Sequence, residues 1–301
     1  MANTRELVKR RKAIRNIRKI TRTMELIATA RFKKAMDRAT AATAFTNRMT
    51  KLVQDLAASG LEVSHPLLDK RDSVKNVTLL VLTANRGLCG GFNGNLQRAG
   101  YHRWLELNES IPSCRLEVSG KRGISAFRFR GIKPDVTYTH FEDKPSYAEV
   151  DVLASRYLDE YTTGKLDRLD IVYTKWESIA RQHVAIETLL PLSAIGGTDA
   201  AAAGDAATPA RVGKYNAIYE FLPSPESILE EVVPASFKIK LFKCFLDSAV
   251  SEQVARMVAM KSATENAGDL IKRLGREYNR ARQSRITSEL MDVIGGVEAL
   301  S

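Results

Sequence analysis

The run Arg86-Gly87-Leu88-Cys89-Gly90-Gly91-Phe92-Asn93-Gly94 is where this 301-residue chain comes nearest to a chemical site, because it directly follows an apolar β-type run, Val77 to Thr83. Nucleotide-binding α/β folds place their phosphate turn there, so that backbone N–H groups and a helix N-terminus can face the anion. The residues fit that chemistry poorly. Gly120-Lys121 is followed by Arg122, so there is no GxxxxGK[ST], and GxGxxG is absent as well. The next strand candidate ends at Ser119-Gly120, without the acidic residue that would bind a ribose. A turn that lets a helix pack closely on a sheet is the better reading. His65, His102, His140 and His183 are scattered, and Cys89, Cys114 and Cys244 form no CxxC pair. No nucleophilic, acid/base or metal-ligating constellation is visible, and no catalytic residue, cofactor or metal is expected. The cysteines imply neither a disulfide framework nor zinc, so a reducing compartment is the default.

The elements that must position this turn are of two kinds. From Met1 to Ser59 there is neither glycine nor proline, which predicts one long helix over 1–59. From Pro234 to Ile294 a second stretch has only Gly268 and Gly275 to soften it, and Ser224-Pro225-Glu226 has the cap, first-turn proline and acidic residue of a helix start, giving a helix over 225–301. Leu7, Ile14, Ile17, Thr21, Met24, Ala28, Ala35, Ala42, Phe45, Met49, Leu52 and Leu56 fall on steps of three, four or seven. Phe237, Leu241, Cys244, Ala255, Val258, Leu270, Leu274, Tyr278 and Ala281 form a comparable stripe. Narrow stripes with alanine in the middle predict two helices wound together at close range, with two separate bundle helices as the alternative.

Between them the chain changes character. All nine prolines lie between Pro66 and Pro234. Strands are expected at Val77–Thr83, Arg115–Val118, Val136–Phe141, Leu169–Lys175 and His183–Leu189, with helices at Phe92–Leu107 and Ala148–Tyr161. This is an inserted, Rossmann-like α/β domain over 75–222 with largely parallel connections. Thr198–Ala210 reads as a flexible loop and Tyr215–Phe221 as one more strand.

The net charge of +11 is unevenly placed. The first 51 residues carry 15 Lys/Arg against 3 acids, or +12, and the rest 31 against 32, or −1. The basicity belongs to the first helix, and its counterpart is an acidic protein, nucleic acid or an anionic surface, or simply solvent. No run of 18 apolar residues exists, so no membrane span is expected, and no targeting segment is read at the N-terminus.

Three segments carry a resemblance: Ile17 through Ala28 (IRKITRTMELIA), Asn85 through Asn93 (NRGLCGGFN), and Asn279 through Gln283 with Ile286 through Leu290 (NRARQ, ITSEL). In this order, along essentially the whole chain, they resemble the signatures of the gamma subunit of F-type ATP synthase, bacterial type. Asn85 stands where that family usually has aspartate, the 198–210 loop looks longer than usual, and the cysteine pair of the chloroplast type is missing. The resemblance implies an antiparallel coiled coil with an α/β domain at its base. It implies a non-catalytic rotor shaft of the F1 sector that couples ion transport to ATP synthesis or hydrolysis in a ring of alpha and beta subunits, the catalytic sites lying in beta. It assigns Met24, Arg282, Gln283, Thr287 and Glu289 to contact with a beta-subunit loop and Val293 and Ile294 to the apolar sleeve of the ring. Tyr219 and Glu220 would meet the epsilon subunit and the c-ring of the membrane sector. The implied location is peripheral, on the cytoplasmic face of the bacterial plasma membrane. Two other classes answer to the residues alone: a basic coiled-coil nucleic-acid-binding protein, and a nucleotide-dependent enzyme built on the glycine turn.

Overall fold

A computed structural model describes residues 4–58, 66–67, 71, 73–141, 144–192 and 225–298. The 198–210 loop, the strand expected at 215–221, Ser224, His65, Tyr219 and Glu220 lie outside the described residues, as do the side chains of Phe45, Met49, Leu52 and Leu56. The elements are α1 (Thr4–Ala58), β1 (Asn76–Leu82), α2 (Phe92–Ser110), β2 (Ser113–Ser119), α3 (Lys121–Phe129), β3 (Val136–Tyr138), α4 (Tyr147–Thr162), β4 (Arg168–Trp176), β5 (Gln182–Leu190) and α5 (Pro225–Glu298). They divide into two compact units, one of residues 1–30, 88–90 and 254–301, the other of residues 31–87 and 91–253.

In the first unit α1 and α5 pair. Arg11 lies over the Tyr278 ring, a Cβ on Gly268 would meet Arg18, and the Thr264 hydroxyl donates to that of Thr21 at 2.9 Å. Contacts climb along α1 while they descend along α5, so the pairing is antiparallel. Leu7, Thr21 and Ala28 are buried in it. Three stripe positions depart from expectation: Ile17, Val258 and Leu270 are exposed. A two-helix seam covers a narrow arc, and residues displaced from it by part of a turn have nothing of this chain to pack against.

The second unit is a five-stranded sheet in the order β3-β2-β1-β4-β5. The β1–β2, β1–β4 and β2–β3 pairs are parallel, and the β4–β5 pair is antiparallel, so the sheet is mixed, with β5 as its antiparallel edge. β1 is apolar on both faces because both are covered. Leu80 and Leu82 join a core with Tyr157 and Tyr161 of α4 and Phe237 and Leu241 of α5, while Val81 faces Gly100 of α2 and Phe127 of α3. α4 starts with a capping box in which Ser146 and Glu149 satisfy each other's backbone N–H. α3 is absent from the sequence-based reading: it is short, and only Ile124 and Phe127 mark its apolar side. α5 carries Pro234 inside its second turn, where a missing N–H interrupts the helix least.

Candidate functional site

The glycine run forms an arch whose ends are tied by one side chain. Asn93 Oδ1 accepts from the Ala84 N–H at 3.0 Å, and Asn93 Nδ2 donates to the Arg86 carbonyl at 3.4 Å. Between these points Gly90 takes a left-handed φ of 55°, and a Cβ there would lie 3.9 Å from the Ala259 Cβ and 4.0 Å from the Ala255 carbonyl. Leu88 also has a positive φ, 62°, a conformation that costs an L-residue with a Cβ about 1–2 kcal/mol. Its side chain is 60% exposed, whereas Cys89 beside it is buried. Sequence reasoning singled out the glycines here and passed over this leucine. Only the backbone angle marks it.

A phosphate would need free N–H groups at a helix start. At α3 they are taken. Lys121 N–H donates to Asn85 Oδ1 at 3.0 Å, Arg122 N–H to the Ala84 carbonyl at 3.2 Å, and Gly123 N–H to Thr83 Oγ1 at 2.9 Å. Asn85 also donates through Nδ2 to the Thr139 and Phe141 carbonyls at 3.0 and 3.1 Å, stitching the β3–α4 connection to the same corner. Gly120 (φ 97°) lets the α3 start sit so close to β1 that a Cβ would fall 2.1 Å from the Thr83 carbonyl oxygen. The crevice beyond the carboxyl ends of β1 and β2 is filled by α5: Thr83, Asn85 and Ser119 face Phe245, Ser248 and Glu252 across a cavity of about 40 Å³. That holds a water or two, whereas small-molecule sites run to hundreds of Å³.

The buried charges of the sheet are likewise committed. Glu117 accepts from the Tyr138 and Tyr157 hydroxyls at 2.6 and 2.7 Å and pairs with Arg156 at 2.6 Å. Asp170 pairs with Arg103 and Arg168, each at 2.8 Å, and accepts from Thr188. Burial and the neighbouring Glu117 push the Tyr138 and Tyr157 hydroxyls up, which keeps both as donors. A buried carboxylate with every lone pair engaged holds strands and helices in place, and nothing is left to move a proton. His102, His140 and His183 are exposed, and no metal-ligating group occurs among the described residues. Burial pushes the Cys244 thiol well up, and burial with Asp170 and Asp135 nearby raises Cys114 to about 11.

The remaining candidate is the surface of the helix pair. Arg282, Gln283, Thr287 and Glu289 all lie on exposed turns of α5, with Glu289 accepting from Arg285 at 2.7 Å. Met24 is half-buried on α1, a few residues from the buried Glu25, which Arg22 pairs at 2.7 Å. Towards the end of α5, Ile286, Leu290, Met291, Val293 and Ile294 are each at least half exposed. This surface thus combines a basic helix with an uncovered aliphatic end.

A family model described as ATP synthase matches residues 3–300. The ATP synthase gamma chain of Rhodopirellula baltica is 60% identical over 301 residues, covering 100% of this chain and 99% of that one. The chain belongs to the ATP synthase gamma-chain family. A second gamma chain, from Leptospira biflexa, is 38% identical over 301 residues with 100% of both chains covered. Among solved structures, a chain of the Euglena gracilis mitochondrial ATP synthase (OSCP/F1/c-ring) superposes with a TM-score of 0.63 at 21% identity, covering 99% of this chain and 94% of that one. A chain of the Tetrahymena thermophila enzyme, from its central stalk and c-ring, gives 0.55 at 18% over 81% of this chain and 99% of that one. At such identities these two speak to the fold, and it is the same gamma-chain fold: paired terminal helices and a central mixed sheet. No described helix is long and apolar enough to cross a membrane.

Proposed function

We propose that the chain is the central rotor shaft of an F-type ATP synthase, a non-catalytic subunit turning inside a ring of alpha and beta subunits. The observation that carries this reading is the helix pair itself, whose aliphatic end, Ile286 to Ile294, stands in solvent on a chain of this family. Surface of this kind calls for an enclosing apolar partner. In the reading, Val293 and Ile294 turn in the sleeve of the ring, while Met24, Arg282, Gln283, Thr287 and Glu289 meet one beta-subunit loop at a time. An asymmetric shaft contacts three equivalent catalytic units differently, and so biases their conformational equilibria unequally. Rotation then carries each unit through every state. Coupling needs differential contact and no chemistry from the shaft. The basic face of α1 pairs with acidic segments of the beta subunits. Tyr219 and Glu220 are assigned to the epsilon subunit and the c-ring, so that membrane association comes through the complex, on the cytoplasmic face of a bacterial membrane.

The test is reconstitution. Purified chain is mixed with separately purified alpha and beta subunits, and co-elution, protease protection of residues 1–59 and 225–301, and ATPase activity are followed. The expected result is a complex in which both helices are protected and hydrolysis rises on adding the chain, since a partner that binds only the folded shaft stabilises it by linkage. Failure to assemble, with salt-sensitive binding to random DNA instead, would replace the shaft reading by the nucleic-acid one.

A further inference from the structure

Leu88 is the one residue other than glycine, among those described, with a positive φ. Two positions on, the same arch uses glycine for the same left-handed conformation, at Gly90. The backbone at 88 therefore asks for glycine or asparagine. Nor does the side chain recover the difference within its own chain, because it is 60% exposed beside a buried Cys89. On both counts the isolated chain gains by losing this leucine. A strained backbone that presents an aliphatic group to solvent is compensated by something outside the chain.

The arch says where that something is met. Leu88 to Gly90 group with the α1–α5 helix pair in one compact unit, and Gly90 lies against the backbone of α5 at Ala255 and Ala259. Val258, in the same turn of α5, is also exposed, at 55%. We infer that Leu88 is an anchor, seated with Val258 nearby in an apolar pocket of a ring subunit that meets the shaft. The inference rests on the shaft reading above and adds a contact to it. An uncharged, branched side chain makes a pocket of aliphatic lining the fitting partner. The left-handed turn holds the side chain out on a short arch whose base Asn93 has closed, so little freedom is lost when it binds.

The experiment uses the full chain with Leu88→Gly, Leu88→Asn and Leu88→Met. Thermal unfolding of each chain alone is compared with its affinity for purified alpha and beta subunits. Leu88→Gly and Leu88→Asn should unfold at a temperature no lower than the parent, yet bind the ring subunits ten- to a hundredfold more weakly, the range expected when one buried leucine side chain is lost. Leu88→Met, which keeps apolar bulk and the strained turn, should bind within about threefold of the parent by the same scale. A drop of several degrees in the unfolding temperature of both Leu88→Gly and Leu88→Asn would show that the leucine serves its own chain and would overturn the inference. So would unchanged affinity in these two variants while the parent assembles. If the parent itself fails to assemble, the shaft reading falls and the anchor falls with it.

Discussion

Asn85→Asp isolates one side chain that does two jobs. Its amide donates to the Thr139 and Phe141 carbonyls at 3.0 and 3.1 Å, and its oxygen accepts from the Lys121 N–H at 3.0 Å. This partner set, two acceptors and one donor, demands an amide. An ionised aspartate keeps the bond to Lys121 and gains about 0.3–1 kcal/mol from the start of α3. It loses two donated bonds worth about 1 kcal/mol each, and sets a negative charge against two carbonyl oxygens. The balance is a loss of about 1–2 kcal/mol, or roughly 2–8 °C in the melting temperature of a domain of this size. The sign with pH follows. Facing two carbonyls, the new carboxyl titrates in the folded state above its unfolded value near 4, so the folded chain holds the proton more tightly. The variant should approach the parent below about pH 4 and fall behind as pH rises through the folded value. Melting curves at pH 4 and 7 read this directly, with Asn85→Ala, which loses all three bonds, as the lower bound. An aspartate variant as stable as the parent at pH 7, with no pH dependence, would refute the clamp.

Gly120→Ala should unfold the sheet unit or cost more than about 3 kcal/mol, since its Cβ would fall 2.1 Å from the Thr83 carbonyl oxygen at a φ of 97°; a melting curve near the parent's would contradict the packing. Cys114, raised to about 11, is roughly a thousandth thiolate at pH 8, so iodoacetamide should label it about a hundredfold more slowly than a free cysteine, the rate rising about tenfold per pH unit. Mass spectrometry of timed samples checks this, and rapid labelling at pH 8 would contradict it. Arg282→Ala with Gln283→Ala, on an exposed turn, should change stability by less than about 0.5 kcal/mol each while lowering ATPase turnover of the reconstituted complex severalfold; parental hydrolysis and ion pumping would reassign the contact.

Much of this architecture was legible because it repeats a local rule many times. A glycine- and proline-free stretch can be little but helix, and Val77 to Thr83, apolar at nearly every position, had to be a strand covered on both faces. The α4 start was written in Ser146 and Glu149, three residues apart. Less was legible where one residue faces two demands. Ile17, Val258 and Leu270 fit the stripe by spacing, yet the angular width of a two-helix seam leaves them in solvent. α3 has too few apolar positions in nine residues to show a period, and exists because Gly120 and Gly123 let it close on Thr83.

The candidate site divides in the same way. The absence of a phosphate-binding pattern around Gly87 to Gly94 was readable from residue types, since the chemistry requires particular side chains at particular spacings. That Thr83, Ala84 and Asn85 occupy the N–H groups of α3, that α5 fills the crevice beyond β1 and β2, and that Leu88 stands strained in solvent were decided by the tertiary structure. Periodicity and composition are sums over neighbours along the chain. Occupancy of a crevice and the sign of a backbone angle depend on contacts between segments far apart in sequence, here residues 83–88 with 121–123 and 245–252.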